Sequence, residues 1–455
     1  MSLSRFESML KTNNVYFFDA GEFEYIIQHY LNVGKHSLAK KAIKLGLEQH
    51  PDSVSLKLLK IETYVFDGNF DKAINLLSQI EVIAPNNDEV YIQKAIILSK
   101  KKKHKEAISI LKKSLDFVED PVDVWAMIGM EYLYMDDYTN ARQNFAKCIA
   151  IDFEDYSSLY NIVYCFEMEE NYEESILFLL SYIENNPYCE VAWHQLGKQY
   201  FELQNFEEAL KAFDYAVIVD ETFIGGYLEK AKTLEQLNRY EEAIENYLVT
   251  LELDDPTAYA YVRVGECYEQ LQDKESAAIY YKKAVYEDPL LDRGWLLLTN
   301  VYYEVKNYKK AIYYINKAIQ IDDSNPMYWR KYAEINIKLN FYEESVKAFK
   351  NCIALEDKEV EIYIALADVL LFLGDFDDAL VIMAKARLLY KNFAEIEYRL
   401  CGLFMISGKE SLSIKHLKSA LLIDYNSKII LKELFPSVFS NILIEETISK
   451  FKSII

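Results

Sequence analysis

The residues in this 455-residue chain best suited to nucleophilic, redox or metal chemistry are six cysteines and six histidines. The cysteines (Cys148, Cys165, Cys189, Cys267, Cys352, Cys401) are widely separated and never form CxxC, which argues against a zinc site and a disulfide framework alike. The histidines at 29, 36, 50, 104, 194 and 416 are not clustered, and no P-loop, GxGxxG, GxSxG or HExxH occurs. No catalytic residue, metal site or cofactor is therefore expected. Carboxylate pairs such as Glu173-Glu174 and Glu207-Glu208 read as charges at helix starts, where they complement the helix dipole. The run Lys100-Lys101-Lys102-Lys103-His104-Lys105 has the charge to meet phosphate, RNA or a membrane surface. No aromatic residues interleave with it as base-stacking platforms would, so it reads as a solvated turn.

Composition narrows the class further. Lys and Arg total 50 against 72 Asp and Glu, a net charge of −22, which makes nucleic acid an unsuitable main partner because phosphates reward clustered cations. Apolar residues make up 51%, enough for a large core, while 13 Gly and 8 Pro against 37 Tyr point to helices joined by short turns. Arg5, Glu7 and Lys11 interrupt any apolar leader, and no stretch approaches the ~18 apolar residues of a spanning helix. A reduced, cytoplasmic setting is the simplest expectation, and the Lys-, Ile- and Tyr-rich composition looks like that of an AT-rich bacterial genome.

An internal period explains how such residues are positioned. With Ala20 as position 1, units of one constant length begin at 20, 54, 88, 122, 156, 190, 224, 258, 292, 326, 360 and 394. Trp193-His-Gln-Leu196-Gly197-Lys-Gln-Tyr200…Ala209…Phe213…Ala216 matches Tyr261…Val264-Gly265…Tyr268…Ala277…Tyr281…Ala284…Pro289, two units later. Trp125…Ile128-Gly129…Tyr132…Ala141…Phe145…Cys148 lies two units earlier. Position 20 is Ala or Ser in all twelve units, and position 24 is always large and apolar. All four Trp (125, 193, 295, 329) occupy position 4, and seven prolines (51, 85, 121, 187, 256, 289, 326) fall at unit junctions.

This pattern resembles the tetratricopeptide repeat, W-x2-L-G-x2-Y…A-x3-F…A…P, and shares its unit length of about 34 residues. The resemblance implies an all-α fold, a right-handed α-solenoid (superhelix) of helix-turn-helix repeats with a concave inner face. Small side chains at positions 8 and 20 would let paired helices approach, and aromatics at positions 4, 11, 17 and 24 would fill the flanks. Much of the tyrosine excess, including Tyr138, Tyr172, Tyr240, Tyr308 and Tyr342 at position 17, is thereby assigned to packing. The cysteines repeat structural slots, 148 and 352 at position 27 and 165 and 267 at position 10, and read as core fillers. Residues 1–19, with Phe6, Met9, Leu10, Phe17 and Phe18, are expected to form an N-terminal cap, and 20–427 twelve repeats. Residues 428–455 are expected to form a truncated thirteenth repeat or C-terminal capping helices, with Pro436 kinking or breaking the first of them.

In this family the inner face is lined around positions 2, 5, 6, 9 and 12 of each first helix. Those positions are apolar early in the chain, at Leu58, Val65, Ile92, Ile96, Met130, Leu133, Tyr160 and Tyr164. Later they become polar, at His194, Lys198, Lys232, Arg263, Arg293, Asn300, Arg330 and Lys331. Cations and an amide on one wall suit an acidic peptide or a C-terminal carboxylate. The alternative is that they only offset Glu229, Glu235, Glu266, Glu269 and Glu334 on the same helices. The family's carboxylate clamp for chaperone tails is not reproduced: 258–326 offers Arg263, Arg293, Asn300 and Arg330 in a rearranged order.

The resemblance thus implies a non-enzymatic protein-protein interaction scaffold or adaptor, binding a peptide segment of a partner protein in the groove. A cytoplasmic assembly or regulatory factor for a membrane-associated complex is the alternative, and helical-repeat RNA binding is less favoured. Direct membrane insertion is not expected. The charge is uneven: residues 1–121 carry 17 Lys+Arg against 16 Asp+Glu, whereas 122–189 carry 2 against 13.

Overall fold

A computed structural model describes residues 2–12, 16–253 and 257–452. Among these residues there are twenty-eight α-helices, one short 3-10 turn and no strand. After the helix Ser2–Thr12, first helices begin at residues 20, 54, 88, 122, 156, 190, 224, 258, 292, 326, 360 and 394. Second helices begin sixteen residues after each of these, from His36 through Glu410. The chain is an all-α solenoid of tandem antiparallel pairs. It divides into two compact units, Met1–Glu229 and Lys230–Ile455, each with its own run of pairs.

Packing within a pair follows from side-chain size. The Ala or Ser at position 20 is fully buried in all twelve pairs, and the apolar residue at position 24 is at most 3% exposed. Opposite Phe145, Phe213 and Tyr281, close approach removes the side chain at position 8, whereas Ala231 and Ala333 stand opposite Tyr247 and Phe349. A Cβ on Gly197 would lie 2.5–2.8 Å from three ring atoms of Phe213, and one on Gly129 2.7–3.0 Å from Phe145. Where position 8 is larger, as at Ile61 or Val163, position 24 is Leu77 or Leu179. Volume is thus traded across the pair.

The turns inside each pair share one conformation. Position 15 has positive φ in every pair: Gly at 34, 68, 374 and 408, and Lys102, Asp136, Glu170, Gln204, Asn238, Gln272, Lys306 and Asn340 elsewhere. Two backbone bonds fix it, for example Gln204 N–H to Phe201 O at 2.8 Å and Asn205 N–H to Tyr200 O at 2.9 Å. This is a Schellman-type helix end. The next residue often caps the second helix: Asp137, Asn171, Asp273 and Asn307 each accept a backbone N–H from its first turn.

The position-17 tyrosines are half-buried at these turns, not in the core. The hydroxyls of Tyr138, Tyr240 and Tyr342 donate to Asp136, Asn238 and Asn340, bracing the left-handed residue. As the first residue of its helix, position 17 borders the exposed turn, three residues before the enclosed position 20. At the junctions, position 4 acts as a clamp. The indoles of Trp193, Trp295 and Trp329 donate to the carbonyls of Pro187, Pro289 and Asp323 at 2.8–3.0 Å. Among the junction prolines, Pro326 opens its helix behind an Asn325 cap, and Pro256 lies outside the described residues.

In the first unit, Phe6 and Met9 of Ser2–Thr12 pack with Phe18, Phe23, Ile26, Ile27 and Tyr30, while Phe17 stays 69% exposed. In the second unit, Ile429–Leu434 ends at Phe435 and a new short helix, Pro436–Phe439, begins, so Pro436 breaks the chain's direction. Leu431, Phe435, Val438 and Ile444 then cover the last pair in one cluster with Leu400, Leu403 and Leu417. Glu397, at position 4, is buried; Arg387 Nε donates to it at 2.5 Å and His416 Nδ1 lies 2.6 Å away.

Candidate functional site

The first helices present two chemically different faces, one in each unit. In the first unit, Asp88–Lys100 and Val122–Leu133 enclose a groove of about 580 Å³. Ile92 and Ile96 of one helix face Ala126, Met127, Met130 and Tyr134 across it. These residues recur at spacings of three and four, so each helix offers one continuous apolar row. Glu89 and Asp123, in the first turns, stand at one end, and Lys100 and Tyr134 at the other. Leu133 is half-buried on the same helix, Val65 is half-buried, and Tyr160 and Tyr164 on Tyr156–Met168 are 43% and 47% exposed. Leu58 departs from this set. It is buried with Ile61, Ala73, Leu77, Val90 and Ile97, wedged between its own second helix and the next first helix, and offers a ligand no surface.

Three carboxylates around this groove lack cations of their own, whereas Glu131, which also lines it, has His104 beside it. Among the described residues, Glu62, Glu89 and Asp123 make no ion pair, and the one polar partner of Glu89 is the Gln93 amide at 2.8 Å. Burial pushes the Glu62 carboxyl above its ordinary pKa, and the charge of Glu89 adds to that. The neighbouring lysine run is different. Lys101 reaches Asp71 at 3.6 Å, Lys103 pairs with Glu106, and His104 Nδ1 lies 2.8 Å from buried Glu131.

At the end of the first unit, His194 is half-buried with its ring 5.7 Å from that of Phe213 and 5.2 Å from Phe223. Lys198 is half-buried and makes no ion pair among the described residues. In the second unit, Arg263 bonds Glu235 and, at 2.6 Å, Glu266; Arg293 bonds the other oxygen of Glu266 at 2.5 Å. Arg330 bridges Asp357 at 2.7 Å and Glu359 at 2.5 Å, and Lys331 reaches Glu334 at 3.3 Å while lying over the Tyr303 ring. Lys232 is half-buried, and the Asn300 side chain has no hydrogen-bond partner among the described residues.

Arg263, Arg293, Arg330 and Lys331 are therefore committed to carboxylates, and Tyr247 and Tyr281 donate to Glu235 and Glu269. A groove of about 500 Å³ there is lined by Glu235, Glu266 and Glu269 against Arg263 alone. Burial, then the charges of Glu304 and Glu266, outweigh Tyr281 and raise the Glu269 carboxyl pKa.

Glu235, Glu266 and Glu334 are among the carboxylates the sequence offered as offsets, whereas Asp357 and Glu359 were missed, although a signal existed. Lys40–Asp67, His104–Glu131, Arg142–Glu169, Arg293–Glu266 and Arg330–Asp357 all share one sequence separation, 27. In the first four that separation links successive repeats, and in Arg330–Asp357 it links a first helix to the junction closing its own repeat, so opposite charges placed at it mark a bridge.

Nucleophiles are hidden. All six cysteines are buried free thiols. Burial pushes Cys165 and Cys401 up to about 11 and Cys267 and Cys352 to about 12. Among the described residues no group of three or more His, Cys, Asp and Glu side chains is placed to hold a metal ion. No helix there is long and apolar enough to cross a membrane.

Family models described as tetratricopeptide repeat match residues 88–117, 122–155, 228–292 and 292–325. These segments of the chain are tetratricopeptide repeats. The matched segments of this tetratricopeptide array include both grooves. No curated protein matches the chain. Among solved structures, MamA shares 22% identity over 35% of this chain and 94% of its own, with a TM-score of 0.34. The C-terminal part of a TPR repeat-containing protein from Cytophaga hutchinsonii shares 16% over 52% and 98%, with a TM-score of 0.47. YrrB, described as a TPR protein with an unusual peptide-binding site, shares 14% over 39% and 91%, with a TM-score of 0.34.

Proposed function

We propose that this tetratricopeptide repeat protein is a non-enzymatic interaction scaffold whose first-helix face binds a peptide segment of a partner protein. One observation carries the reading. Successive first helices of the first unit leave an open apolar groove flanked by exposed Tyr134, Tyr160 and Tyr164, whereas the small side chains at position 20 are fully enclosed. Contiguous apolar surface left open beside a well-packed core marks an interaction site. Six unpaired thiols suit a reducing compartment, so the cytoplasm is the setting we assign.

An acidic peptide on the second unit is the less favoured ligand, because Arg263, Arg293 and Arg330 already have carboxylate partners. A photo-crosslinking amino acid at Tyr160 or Tyr164 tests the scaffold reading, with one at exposed Leu177 on the second-helix face as control. Capture of one protein from the inner positions and not from 177 is expected. Equal capture from both faces, or none, would reject the assignment.

A further inference from the structure

We propose that the groove between Asp88–Lys100 and Val122–Leu133 receives an amphipathic helix whose apolar ridge is flanked by Lys and Arg at one end. The inference rests on the reading that the first-helix face docks a peptide, and it names the chemistry of that peptide.

Shape selects a helix. Ile92 and Ile96 on one side and Met130 and Tyr134 on the other are each four residues apart, so the walls are two apolar rows with a furrow between them. A row of that spacing accepts the i, i+3, i+4, i+7 anchors of a partner helix, as ridges enter grooves. Met127 and Met130 supply unbranched, polarizable side chains that adapt to an incoming surface.

Charge selects the flank. Glu89 and Asp123 stand together in the first turns of the two helices, and Glu62 on the preceding first helix lies close enough to Glu89 to feel its charge. None of the three has a cation of this chain among the described residues. The one cation lining the groove there is Lys100, at its opposite end. The two repeats that begin with the groove's second helix, residues 122–189, carry 13 Asp+Glu against 2 Lys+Arg in sequence. A ligand helix bringing cations to the Glu89–Asp123 end would relieve like-charge repulsion as well as bury the apolar rows. In the second unit Arg263 and Arg293 already bond Glu235 and Glu266, and the groove beside Glu269 has no paired apolar rows for a helix to enter. The bound helix should therefore lie with its basic end toward Glu89 and Asp123 and its neutral or acidic end toward Lys100.

The test uses the full chain and three synthetic helical peptides read by fluorescence anisotropy. One carries a Leu ridge with Lys and Arg at one end, the second the same ridge with Glu there, and the third the basic end with Ser replacing the ridge. The first is expected to bind, and the other two at least about tenfold more weakly. Glu62→Gln/Glu89→Gln/Asp123→Asn should weaken the first peptide about tenfold, as expected for three partly exposed pairs. Glu173→Gln/Glu174→Gln/Glu184→Gln makes the same change in net charge at exposed second-helix positions and should leave affinity within about twofold. Met130→Ala, checked for unchanged helicity, should weaken binding through the apolar row alone. Equal losses in the two triple variants would show attraction to net charge and overturn the proposal. Preference for the Glu-flanked peptide, or no binding of any peptide, would also overturn it. If crosslinks from Tyr160 or Tyr164 still capture a partner in that case, the occupant falls and the scaffold reading stands; if they fail too, both fall.

Discussion

Replacing Gly197 by Ala isolates what holds one helix pair together. A Cβ there would sit 2.5–2.8 Å from the Phe213 ring, which is fully buried and has the His194 ring behind it. Helix propensity alone favours the change by up to about 1 kcal/mol. Overpacking of a dense core opposes it by roughly 1–3 kcal/mol. Ala231 faces Tyr247 elsewhere in the chain, so a pair can widen enough to admit one methyl, which puts the cost toward the lower half of that range. A net loss of about 1 kcal/mol is expected. Phe213→Leu alone should cost about 1 kcal/mol in buried apolar area. Together the two recreate the Ala95–Leu111 pairing found in another pair, so the double variant should lose less than the sum, by about 1 kcal/mol of coupling. Repeat arrays need not unfold in one step, so the readout is native-state hydrogen exchange of Glu190–Glu202 and Phe206–Val219. Strict additivity, or increased protection in Gly197→Ala, would refute the volume-trading account.

Three further outcomes are expected. Lys306→Gly should stabilise the second unit by about 0.5–1 kcal/mol, the left-handed penalty less the added freedom of the unfolded chain, and Gly374→Ala should destabilise it by about 1 kcal/mol; thermal melts of each variant measure both. Burial works to raise the Glu397 pKa, but His416 and Arg387 outweigh it and hold the carboxyl below its ordinary range. Its stabilisation is thus present above the unfolded value of about 4.3 and lost as pH falls through the lower folded value. The melting difference between the native chain and Glu397→Gln should be largest near neutrality and close below about pH 4. A thiol reagent at mildly alkaline pH should leave the cysteines of the folded chain unmodified and titrate all six after denaturation.

Different parts of the structure were legible to different degrees. Ala39, Ala73, Ala107 and their counterparts at position 20 had to be small, and Leu77, Phe145 and Met383 at position 24 apolar, whatever lay around them. Those constraints act within one pair and repeat, so the period alone located the helix starts. Leu58 shares its register position with Ile92 yet is enclosed, because burial at position 5 depends on the neighbouring pair's side chains. The cationic positions share a register in the sequence, but Arg263 and Arg330 find carboxylates on adjacent helices and at a junction, contacts that depend on side-chain reach. The left-handed residues escaped notice for a simpler reason. Only four of the twelve are Gly, and a Lys or Gln at that turn gives no outward sign of its backbone angle.

That same column has a practical consequence. Its twelve members, from Gly34 to Gly408, are all exposed, and their conformation is dictated by main-chain bonds. Natural variation there rewrites surface charge without disturbing a packed interface, which is how Lys, Glu and Gln come to share one backbone role. For the experimenter it is a ruler with one mark per repeat. With the native thiols buried, a cysteine introduced at Gln204 or Lys306 would be the reactive one, and pairs of such marks would carry dyes or spin labels for measuring how the solenoid flexes when a partner docks.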